Sequence, residues 1–160
     1  MPTPVILSGI FGAPIEALAT LLSNVTAFQT FTGTVSAVLA KARIYEIFEA
    51  ETSVTRPLAL ITYQQGSWSA DRDAASSGNG SFRRDSSLTL VFEKSVTAYG
   101  KDDIKTFANE IGSIIQGIMD LSGTNNNYML VKTITLNGFS RGEEGEDKTL
   151  YADFKITWGM

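Results

Sequence analysis

At 160 residues, with 43 % apolar and 19 % charged residues, the chain has the composition of one folded domain large enough to bury a core. The formal net charge of -4 argues against a surface built to hold nucleic-acid phosphates. Cysteine is absent and so is histidine, which excludes disulfides, thiol nucleophiles, Cys/His metal centres and the usual general base near neutral pH.

The first 22 residues, "MPTPVILSGIFGAPIEALATLL", are apolar, but the first basic residue is Lys41 and Gly9, Gly12, Pro14 and Glu16 interrupt the run. The segment therefore reads as neither signal peptide nor membrane span, and the protein as soluble and intracellular at synthesis. Pro14 suits the first turn of a helix on which Ile15, Leu18, Ala19 and Leu22 fall at helical spacing. "SNVTAFQTFTG" reads as turn-like, with Phe28 and Phe31 packing back on the core. A second helix is expected from Thr34, with Val35, Val38, Leu39 and Ala42 on its apolar face.

Residues 43–49 alternate as a strand, with Ile44, Glu46 and Phe48 on one side and Tyr45 and Ile47 on the other. After a polar turn, Arg56-Pro57 opens the strand "LALITYQ", proline being tolerated where no ladder bond is donated. Residues 66–84 are rich in Gly, Ser, Asp and Asn and too long for an ordinary hairpin turn, which predicts a long arm or loop. Leu88, Leu90 and Phe92 then mark a half-buried strand.

"KDDIKTFANEIGSIIQGIMDLSG" is a strongly amphipathic helix. Ile104, Phe107, Ala108, Ile111, Ile114, Ile115 and Ile118 form its stripe, Asp102 or Asp103 its cap, and Gly123 its stop. Strands follow at 128–139 and 149–158, joined by the acidic tip "SRGEEGEDK". The order α-α-β-β-β-α-β-β predicts a single α+β domain over 1–160, its mostly antiparallel sheet flanked by helices.

No phosphate-loop, dinucleotide or nucleophile-elbow motif occurs, and no cofactor is expected. Glu143, Glu144, Glu146 and Asp147 lack the ligand order of a calcium loop. They read as a solvated hairpin tip or, multiplied by the copies of a ring, as an acidic collar. Trp68, Arg72, Phe82, Arg83 and Arg84 lie in or beside the 66–84 segment, interleaved with Asp71, Asp73 and Asp85. The interleaved acids cancel most of the field that would favour a nucleic-acid strand, so the group reads as a subunit or partner interface, the alternative being a floppy loop anchored by Trp68. No catalytic or metal site is expected, and the chain reads as a non-enzyme.

The run "AFQTFTG" into an alanine-rich helix, then "ARIYEIFEA" and "TRPLALITY", resembles bacteriophage tail terminator and tail-completion (neck) proteins. The long arm, the helix at 102–121 and the C-terminal hairpin are similar to that architecture, so the resemblance spans essentially the whole chain. It implies a structural virion protein assembled in the host cytoplasm, whose ring, usually hexameric, caps the tail tube and halts its polymerisation. Its partners would be further copies of itself, the tube protein and the head-side connector. DNA would pass through the ring without sequence-specific binding, and no membrane would be involved. Alternatives are a head-completion protein, a tube subunit, an adaptor domain outside viruses, or a small enzyme using Asp, Lys or Tyr.

Overall fold

The computed structural model describes residues 9–46, 54–71, 81–124, 128–144 and 147–158. In chain order the elements are α1 (Gly9–Ser23), α2 (Thr26–Thr32), α3 (Ala37–Lys41), β1 (Ile44–Glu46), β2 (Leu58–Asp71) and β3 (Ser81–Val96). They are followed by α4 (Lys101–Leu121), β4 (Val131–Glu144) and β5 (Asp147–Trp158). The fold is α+β, a five-stranded sheet in the order β1-β2-β3-β5-β4 flanked by helices. β1 joins β2 in parallel, and the other three pairings are antiparallel.

The expected order of helices and strands holds, with local differences that have physical reasons. The segment expected to be turn-like contains α2. Its N-cap, Val25, makes no side-chain cap bond, so nothing polar announces the helix start. Gly33 closes it at φ 69°, a left-handed conformation that costs glycine little. Pro14 lies inside α1 rather than in its first turn, so the helix forgoes one backbone bond there. The cap of α4 is Gly100 and carries no side-chain bond. Asp102 and Asp103 instead sit in the first turn, where their charge opposes the helix dipole's positive end. Gly123 does stop α4, at φ 69° just beyond the Ser122 cap.

The core is the layer between helices and sheet. Leu18, Leu21, Leu22, Phe28 and Phe31 from α1 and α2 meet Phe107, Ile111, Ile114 and Ile118 from α4. The sheet answers with Ala59, Ile61, Leu88, Leu90, Phe92, Leu150, Ala152, Phe154 and Ile156, alternate residues of three adjacent strands. Phe92 is the aromatic hub, with ring centroids 6.2 Å from Phe28, 6.1 Å from Phe31 and 6.0 Å from Phe154. Such tilted and edge-on contacts add about 0.5–1.5 kcal/mol each beyond buried area. Lys94 Nζ bonds Glu110 Oε2 at 2.7 Å, fastening α4 to β3 from its solvent side.

On the other face of the sheet, Tyr45 and Leu58 are each 1 % exposed. The chain entering β2 folds over them. The Thr55 N–H donates to the Tyr45 hydroxyl at 3.3 Å, and Arg56 Nε meets Glu93 Oε2 at 3.0 Å. Arg56-Pro57, expected to introduce this strand, does so through a cis peptide bond. Ile47 and Phe48, expected to complete β1, lie outside the described residues.

Candidate interaction surfaces

Residues 66–71 and 81–84 of the 66–84 segment are strand, and 72–80 lie outside the described residues. β2 and β3 stay in register from Gly66↔Ser86 to Asp71↔Ser81, beyond an irregularity between Tyr63 and Gln65. β5 pairs with β3 only from Leu88 to Val96. Residues 66–71 and 81–86 therefore form a two-stranded arm running past the end of β5. Six residues per strand make it about 20 Å long.

The register separates the five residues singled out in the sequence. Trp68 stands opposite Arg84, and Ala70 opposite Phe82. Strand alternation places the positions of Trp68, Phe82 and Arg84 on one face of the arm. Arg83 stands opposite Ser69 on the other face, which also holds the positions of Asp71 and Asp85. Arg72 lies outside the described residues.

The acidic tip is narrower than the sequence suggested, because β4 and β5 remain paired to Glu144↔Asp147. Glu143 stands opposite Lys148 in the register, one step before that last pair. Glu146 lies outside the described residues. Below the tip, the Tyr99 hydroxyl donates to the Gly142 carbonyl at 2.5 Å. Arg141 Cζ and Lys148 Nζ lie over the Tyr99 ring at 5.1 and 5.6 Å from its centroid. The two cations stacked on one aromatic ring fix the root of the hairpin and place basic charge beside the acidic tip.

Two apolar surfaces escaped the sequence reading. The expected apolar face of the second helix points outward: Val35 is 89 % and Val38 80 % exposed, and Ala40 is the residue of α3 that packs inward. At the β4 edge of the sheet, α4 packs on β3 and β5 and reaches β4 through Phe107, whose ring meets Phe139 edge-on at 6.1 Å. Leu136 and Phe139 are nevertheless 48 % and 49 % exposed, and so is Ile104 of α4 at 43 %, which the helical stripe had assigned to the core. Leu130 precedes β4 instead of lying along it, and is also exposed. β4 has irregularities between Val131 and Thr133 and between Leu136 and Gly138, and the latter explains why Leu136 and Phe139 share a face at a spacing of three.

Among the described residues no group of His, Cys, Asp or Glu could hold a metal ion, and no helix is long and apolar enough to cross a membrane. No protein-family model matches the chain, and no curated protein matches it.

Proposed function

We propose that this chain is a structural virion protein that forms a ring, hexameric by the resemblance noted above, at the head-proximal end of a phage tail. There it ends growth of the tail tube and joins the tail to the head connector. The observation that supports this reading best is the arm. A two-stranded ribbon reaching past its own sheet, with Trp68 opposite Arg84, carries residue types enriched where proteins bind each other. A head-to-tail ring needs two different patches on each subunit, and an arm meeting a neighbour's surface supplies such a pair. In this ring the tip bearing Glu143, Glu144, Glu146 and Asp147 lines the channel and keeps passing DNA from adhering. The action is steric and interfacial, and no residue is assigned to catalysis.

Light scattering with negative-stain imaging of the purified protein tests the ring. A closed assembly of about six copies is expected by the symmetry that such rings adopt. Added to growing tail tubes, the protein should stop elongation at one end. Long tubes formed by the protein alone would identify a tube subunit instead. Tubes that lengthen unchecked in its presence would defeat the terminator reading.

A further inference from the structure

We propose that Asn137 is a deamidation site that the fold exposes and orients, so that the folded chain slowly converts a neutral residue of β4 into a charged one. The proposal goes beyond the ring and does not rest on it. The reaction asks three things of its surroundings. The next backbone nitrogen must reach the side-chain carbonyl carbon, no side chain may crowd that nitrogen, and water must reach the product. A regular strand withholds the first, because an extended backbone in a paired ladder keeps the two atoms apart.

β4 departs from a regular strand at this step. Leu136 stands opposite Phe154 and Gly138 opposite Asp153, which leaves Asn137 as an extra residue without a partner of its own. Such a residue leaves the ladder and bends the chain. Its side chain is tied down, since Asn137 Nδ2 donates to Asp153 Oδ1 at 3.3 Å. Asp153 is the residue opposite Gly138, so this bond leans the amide along the strand towards the Gly138 nitrogen. Gly138 brings no Cβ, and the place a Cβ would take has no atom within 4 Å. Asn137 is exposed, and β4 is the edge of the sheet, with no strand on its outer side among the described residues. All three requirements meet at one step of the chain.

The chemistry balances with water as its co-reactant. The Gly138 nitrogen loses its proton and attacks Cγ of Asn137, the bond from Cγ to the amide nitrogen breaks, and ammonia leaves. Water then opens the cyclic imide at either carbonyl. One opening leaves aspartate; the other runs the chain through the side chain as isoaspartate, with an extra carbon in the backbone. Either product replaces the Asn137 donor with a carboxylate beside that of Asp153, where like charges oppose strand pairing. Isoaspartate also lengthens β4 just before the Gly138–Asp153 pair and so loosens the hairpin from Phe139 towards its tip.

Incubation of the folded protein at mildly alkaline pH, followed by trypsin digestion and mass spectrometry, tests the site, with a sample digested at once as the baseline. Cleavage after Lys132 and Arg141 places Asn137 in peptide 133–141. Cleavage after Arg72 and Arg83 places the other Asn-Gly pair, Asn79-Gly80, in peptide 73–83, so the two are read separately. Peptide 133–141 should appear as both aspartate and isoaspartate products. Its rate in the folded protein should lie within about tenfold of that in the urea-unfolded chain. Gly138→Ala, which the open space accommodates, should slow it by about tenfold or more, because the methyl group crowds the attacking nitrogen. Asp153→Ala should slow it several-fold in the folded protein and leave the unfolded rate unchanged.

A folded protein that keeps Asn137 intact while the unfolded chain converts would overturn the proposal, since the strand would then protect the residue. Conversion to aspartate alone, or conversion that ignores Gly138→Ala, would rule out the cyclic route. A folded rate unmoved by Asp153→Ala would remove the orienting role of that carboxylate.

Discussion

Gly117 sits on α4 where that helix passes closest to Val25, the buried cap of α2. A Cβ at this position would overlap Val25 Cγ1. Glycine inside a helix costs about 1 kcal/mol relative to alanine, so its presence here reflects closeness of approach. Gly117→Ala should therefore destabilise the protein by about 1–3 kcal/mol, the usual penalty of overpacking a filled core. The residue it strikes can be named, so the cost should couple to Val25. Val25→Ala alone leaves a void, but the double variant should be more stable than the two single effects predict, by at least about 0.5 kcal/mol. Denaturant unfolding of the four proteins measures this, and strictly additive effects would mean that the helices move apart instead of clashing. By contrast, Gly138 has open space around it, and an alanine there meets no neighbouring atom.

At the scale of elements, the arm is the part whose removal separates folding from assembly. Replacing residues 68–84 with Asn-Gly would join Ser67 to Asp85, which are already paired, through a favoured two-residue turn. Because β5 does not reach this part of β3, the thermal midpoint should move by no more than about 4 °C, equivalent to about 1 kcal/mol in a chain of this size. Ring formation should be lost. A trimmed protein that still assembles would remove the arm from the subunit contact. The arm's strands were hidden in the sequence because Gly, Ser, Asp and Asn disfavour strand individually, whereas backbone pairing with a partner strand holds them. α4 and β5 were legible for the opposite reason. Each lies across the boundary between core and solvent, so Phe107, Ile111, Ile114 and Ile118 recur at helical spacing and Leu150, Ala152, Phe154 and Ile156 alternate. α2 is too short for its period to register, and only the burial of Phe28 and Phe31 was foreseen. α3 misled because a row of apolar residues records what could be buried, and Val35 and Val38 remain in solvent. On β4 the alternation breaks at the irregularity, which concealed the shared face of Leu136 and Phe139 until the register was known.

For the whole molecule, the head-to-tail ring proposed above is polar, with one face for the tail tube and the other for the head connector. The acidic tip is where such an assembly would act on DNA. Glu144 and Asp147 face each other at the last strand pair. The basic residues nearby, Arg141 and Lys148, are held over Tyr99. Replacing Glu143, Glu144, Glu146 and Asp147 with lysine tests this placement. The assembly should keep its mass, because none of the four lies on the arm proposed as the subunit contact. Its channel should then retain duplex DNA, with affinity falling steeply as salt rises, since each phosphate neutralised by lysine releases a counterion. Phage carrying the variant should eject DNA more slowly. A variant assembly that retains no DNA at low salt would place the tip outside the channel. One that falls apart would make the acids part of a subunit contact. Retention that ignores salt would show that something other than the reversed charge holds the DNA.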